Sequence, residues 1–82
     1  MGNEWVWAQT EPLEGKYANC FRVGFNSLEV VIEFGQCHAE GSNLVHTKII
    51  LPPLFCVELM ATLAQSMDEY KAKYGAIDRG SK

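Results

Sequence analysis

The sequence predicts an α+β fold: a three-stranded antiparallel sheet (β-β-β) covered by one C-terminal α-helix. Two observations carry most of this. Apolar residues alternate at period two through residues 17–25, 28–34 and 44–51, the signature of half-buried strands. From Leu54 to Tyr74 the apolar spacing changes to threes and fours, the signature of a helix. A third, Pro52-Pro53, sits at the change of period, where proline ends a strand and suits the first turn of a helix.

The first predicted strand, Tyr17 to Phe25, puts Tyr17, Asn19, Phe21, Val23 and Phe25 on one face and Ala18, Cys20, Arg22 and Gly24 on the other. Asn19 is the polar exception on the aromatic face. A place near the strand start, bonded to backbone, accounts for it best; holding a partner's backbone is the alternative. Asn26-Ser27 supplies turn chemistry, since both side chains can bond nearby backbone. The second strand, Leu28 to Phe34, places Leu28, Val30, Ile32 and Phe34 on the core face and Glu29, Val31 and Glu33 outside, and Gly35 is expected to end it. A polar loop over residues 36–43 leads to the third strand, Leu44 to Leu51. Val45, Thr47, Ile49 and Leu51 are assigned inward there. His46 and Lys48 then share the outer surface with Arg22, Glu29 and Glu33, where opposite charges across strands make a solvated ion-pair lattice.

On the helix, Cys56, Leu59, Met60, Leu63, Met67, Tyr70 and Tyr74 form the core stripe, with Glu58, Thr62, Gln65 and Glu69 opposite. Glu69 and Lys73 are spaced to pair, and Gly75 is the expected C-terminal stop. No Ser, Thr, Asp or Asn precedes the prolines as an N-cap. The resulting organisation is an N-terminal arm (1–16), a β-β-β-α domain (17–75) and a short tail (76–82). The arm carries Trp5-Val6-Trp7, apolar surface that is expected to fold back on the domain or enter a partner.

With 82 residues, 48% hydrophobic and 21% charged, the chain has the composition of one small globular domain. Ten acidic residues outnumber seven scattered basic ones, for a net charge of −3. A nucleic-acid interface needs clustered cations, so that class is set aside. No apolar run reaches the ~18 residues of a membrane span. The N-terminus shows no secretory pattern, and Val6 stands where a myristoylation signal needs Ser or Thr. The expectation is a cytoplasmic protein with neither membrane nor nucleic acid as partner, and no cofactor. Three cysteines in such a chain argue against a disulfide framework, and Cys20 and Cys56 are expected to be small buried side chains.

The order of several short motifs resembles one known family. Tyr17-Ala18-Asn19, Val23 and Glu33-Phe34-Gly35-Gln36 match its opening hairpin. His46-Thr47-Lys48-Ile49-Ile50 matches its third strand, and Tyr70 to Gly75 its helix end. This is DUF3467, a family of small prokaryotic proteins of unknown function. The resemblance covers residues 15–75 and supports the fold, but the family supplies no catalytic residue to carry over. The chain departs from it at Pro52-Pro53, where the family often has Ser-Pro or Gly-Pro, and in the tryptophan arm.

Candidate chemistry is sparse. Cys37-His38, with His46 further along, offers a thiolate and imidazoles for zinc or redox work, but neighbouring residues in an extended stretch point apart and no fourth ligand is evident. Glu29 and Glu33, four apart on a strand, are expected roughly 13 Å apart at ~3.3 Å per residue, too far for paired acid–base catalysis. No nucleophile elbow or phosphate-binding glycine loop is present. The core balance is the more informative clue. One helix on three strands leaves Val57, Ala61 and Ala64 beyond the stripe, Val31, Leu44 and Ile50 on the outer face, and open sheet edges. The sequence therefore points to a non-enzymatic interaction or accessory subunit that self-associates or joins a larger protein assembly. Its contacts would be Trp5, Trp7, Val57, Ala61 and Ala64. The alternatives are an oligomeric small-ligand binder with an inter-subunit pocket and, below it, a zinc or redox site at Cys37-His38.

Overall fold

The computed structural model describes residues 13–78. Strand β1 (Cys20–Phe25), strand β2 (Val30–Cys37) and strand β3 (Asn43–Leu51) form one antiparallel sheet in the order β1-β2-β3, and helix α1 (Pro53–Tyr74) follows. The α+β class and the element order are those the periodicities require.

The β1–β2 turn closes because Asn26 replaces backbone partners with its side chain. Its Oδ1 accepts the N–H groups of Leu28 (2.7 Å) and Glu29 (2.9 Å), while its own N–H donates to the Glu29 carbonyl at 3.0 Å. Glu29 therefore belongs to the turn and not to the strand face assigned to it. The β2–β3 loop turns at Gly41, whose φ of 105° is a left-handed conformation that suits glycine. His38 N–H donates to Ser42 O at 3.0 Å and Gly41 N–H to His38 O at 2.9 Å.

β2 does not stop at Gly35. It runs on to Cys37, because β3 carries an extra residue there: Phe34 faces Thr47 and Gly35 faces Val45, which leaves His46 unpaired. This bulge reverses the alternation of β3 on its N-terminal side. Val45 moves to the face of Glu33 and Lys48, and Leu44 moves to the aromatic face, opposite to their assignment from strict alternation. Gly35 is buried because the bulge lies against it: a Cβ there would fall 2.2 Å from the Leu44 carbonyl oxygen and 2.9 Å from Val45 Cα.

The cysteines also differ from expectation. Cys20 and Cys37 form a disulfide, with Cα atoms 6.2 Å apart, and Cys56 is free and half-buried. Antiparallel pairing sets Cys20 against Gly35, so Cys37 lies two residues along the same face, within reach of a bridge. Asn19 continues the ladder past the end of β1. Its side-chain amide donates to Cys37 O (3.1 Å), its Oδ1 accepts Cys37 N–H (2.8 Å), and its backbone N–H donates to Gly35 O (3.0 Å). The backbone role foreseen for Asn19 is the one it has.

The helix departs furthest from its predicted seat. A single residue, Pro52 (φ −60°, ψ 146°), joins β3 to α1, and its carbonyl already accepts the helical N–H groups of Phe55 and Cys56 at 3.0 and 3.2 Å. A βα connection that doubles back takes about 2–6 residues. With one extended residue, α1 leaves the sheet, and its slight contact with it runs through β3. No residue of α1 is buried, so the helix follows the sheet without covering it. Among the described residues the one buried hydrophobic side chain is Ile32, in the middle of β2.

Candidate functional site

Three surfaces arise from this arrangement. The first is the aromatic face of the sheet. Registers place Phe21, Val23 and Phe25 of β1 beside Phe34, Ile32 and Val30 of β2, with Thr47, Ile49 and Leu51 of β3 completing the row. It is a continuous apolar layer, yet Phe21 is 72% and Phe25 84% exposed. Apolar layers this large are seldom left in water, because each large side chain forgoes ~1.5–3 kcal/mol of burial.

The second surface is α1. Cys56, Leu59, Met60, Leu63, Met67, Tyr70 and Tyr74 form the predicted stripe; Cys56 is half-buried and the other six are exposed. Tyr70 and Tyr74 stack on each other at 5.0 Å between centroids. In place of the expected Glu69–Lys73 pair, Glu69 accepts from Gln65 Nε2 at 3.5 Å and Lys73 lies 5.4 Å from the Tyr74 ring centre. Val57, Ala61 and Ala64, named from sequence as contact residues, are also exposed and lie on the flank of the stripe. Trp5 and Trp7, the other two, fall outside the described residues.

The third surface is the polar face of the sheet. Glu33 accepts from Arg22 Nε, and Lys48 Nζ stands 3.6 Å from its other carboxylate oxygen. Its side chain is 16% exposed between the two cations. The Arg22 hydrogen bond holds the Glu33 carboxyl below its ordinary 4.5, aided by the charges of Arg22 and Lys48 and opposed by partial desolvation. The ion-pair lattice expected from sequence is therefore present in part, over Arg22, Glu33 and Lys48, with Glu29 left in the turn. His46 is not in it. Released by the bulge, its Nε2 pairs with the Tyr17 carbonyl at 2.9 Å and its Nδ1 with Thr47 Oγ1 at 2.7 Å, tying the segment before β1 to β3.

These contacts bear on the zinc or redox candidate. The sulfur of Cys37 is bonded to Cys20, and both nitrogens of His46 are engaged. Among the described residues no group of three or more His, Cys, Asp or Glu side chains is gathered to hold a metal. Sequence reasoning missed two features, the bridge and the bulge. A signal for the first was available: Cys20 and Cys37 lie nearly equidistant from the Asn26 turn, so hairpin pairing brings them together. For the second, Gly35 inside an otherwise apolar and charged strand marks a close backbone approach.

Comparison with known proteins bears on the whole arrangement. The family model for DUF3467, described as a protein of unknown function, matches residues 5–79. The chain belongs to the DUF3467 family. Neither the curated proteins nor the solved structures give a match. As a DUF3467 member it has its Glu33-Phe34-Gly35 motif at the point where the β3 bulge meets β2, and its His46-Thr47 at the bulge itself. Those motif residues thus have a structural reason. No helix among the described residues is long and apolar enough to cross a membrane.

Proposed function

We propose that this DUF3467 protein is a non-enzymatic, self-associating interaction module that serves as an accessory subunit in a protein assembly. The observation that carries the reading is how little core the described residues build: Ile32 is their one buried hydrophobic side chain, while Phe21, Val23 and Phe25 of the sheet's aromatic face are exposed and no residue of α1 is buried. Ordering a residue costs roughly 1.5 kcal/mol, and burial must offset the sum. One buried side chain does not, so the remaining burial comes from association. The polar groups of the sheet support a structural role. Asn19, His46 and Glu33 are each held by backbone or by paired charges.

Light scattering over a dilution series tests this. A dimer or larger assembly whose mass falls on dilution is the expected result. A folded monomer at all concentrations that retains no partner on purification from its source would refute it. A cytoplasmic location goes with the proposal. The Cys20–Cys37 bridge weighs against it, since reducing compartments keep thiols reduced. Imaging of tagged protein in cells decides between the two.

A further inference from the structure

We infer that the chain closes its core by reciprocal exchange with a second copy, α1 of each lying on the aromatic sheet face of the other; this rests on the self-association proposed above. Three observations favour this occupant. The first is the joint. Pro52 is the single residue between Leu51 and Pro53, and its extended backbone sends α1 away from its own sheet. Short hinges of this kind favour exchange of an element between identical chains over folding back.

The second is fit. α1 has 22 residues and spans roughly 33 Å at 1.5 Å per residue; β3 has nine and spans roughly 30 Å at 3.3 Å each. The apolar stripe of the helix and the apolar layer of the sheet are thus of matching length. Pairing of two helices alone would leave Phe21, Val23 and Phe25 in water. An exchanged helix covers both exposed surfaces at once.

The third is area. The open side chains of Phe21, Phe25, Leu63, Met67 and their neighbours, at roughly 100 Å2 each, give on the order of 1,000 Å2 for one helix–sheet seat. Two seats give about 2,000 Å2, the upper part of the range for a stable, specific interface. The charged face, with Glu33 between Arg22 and Lys48, stays outward, as solubility of the dimer requires.

The test uses the full chain, first weighed by light scattering and then mixed as 13C-labelled and unlabelled copies. Isotope-filtered nuclear Overhauser spectra are expected to connect methyl groups of Met60, Leu63 and Met67 in one copy with the rings of Phe21 and Phe25 in the other. In a second variant, a flexible Gly-Ser stretch of about six residues is inserted between Leu51 and Pro52. It is expected to become monomeric with its helix content retained, because the helix can now reach its own sheet. A dimer whose helix–sheet contacts all lie within one chain overturns the exchange and leaves self-association standing. So does a dimer whose sheet face is covered by Trp5 and Trp7, or an insertion variant as dimeric as the parent. A monomeric parent overturns both.

Discussion

Gly35 is the residue on which the register of the sheet turns. The backbone of Leu44 and Val45 occupies the place a side chain would need, so Gly35→Ala has to push β3 away or undo the bulge. Overpacking of this kind costs about 1–3 kcal/mol, which urea unfolding of the variant will measure as a lower midpoint. Asn19→Ala removes both side-chain bonds to Cys37; at an exposed site this should cost about 1 kcal/mol in the same assay. Glu33 makes a prediction about pH. Its folded pKa lies below its unfolded value of 4.5, so it contributes stability that is fully present above that value. The contribution is lost as pH falls from about 4.5 through the depressed folded pKa. Glu33→Gln should flatten that acid limb of the stability curve and leave its slope near neutrality unchanged.

At the scale of elements, the hairpin and the helix behave differently. The Cys20–Cys37 bridge closes a loop of separation 17 in sequence, and cross-links of that length restrict the unfolded chain by about 3 kcal/mol. Reductant, or Cys20→Ser with Cys37→Ser, should lower the denaturation midpoint accordingly. At the other end, Gly75 terminates α1 at φ 90°, its N–H on the Lys71 carbonyl at 2.8 Å. Gly75→Ala places a Cβ in that left-handed conformation and should cost about 1 kcal/mol, visible as fraying of the last turn by circular dichroism.

What the sequence disclosed follows the same division. Period-two alternation in Phe21-x-Val23-x-Phe25 and Val30-x-Ile32-x-Phe34, and threes and fours from Cys56 to Tyr74, are local patterns, and they located the elements. Asn26 and Asn19 were legible because their chemistry acts within their own hairpin. The bulge at His46 and the bridge at Cys37 depend on how neighbouring strands register, which no single strand encodes. The seat of α1 was misjudged for a different reason. A matching stripe and sheet face say that the two surfaces can meet, but not whether within one molecule or between two; periodicity does not record how the single Pro52 joint directs α1.

For the whole molecule, the proposed exchange couples stability to assembly. Ile32 is the sole buried hydrophobic residue among those described; under the proposed exchange the chain gains the rest of its burial from a second copy, so mass action enters its unfolding. The thermal midpoint should rise steadily with protein concentration. Leu63→Asp, which puts a charge in the middle of the exposed stripe, should abolish that dependence and shift the mass toward a monomer. The contacts named from sequence are placed differently by this view. Val57, Ala61 and Ala64 flank the stripe, and in the proposed exchange the greater part of the burial would belong to Leu63, Met67 and the phenylalanines.

The unfastened helix has a consequence for the order in which parts of the molecule become protected. A helix without a side-chain cap and without a buried residue draws little stability from packing, whereas β2 is hydrogen-bonded on both sides and cross-linked to β1. Amide hydrogens of β2 should therefore exchange slowly at any dilution. Those of α1 should exchange within the dead time in dilute solution and slow progressively as chains meet, so that one half of the polypeptide keeps its own clock and the other half runs on the encounter rate.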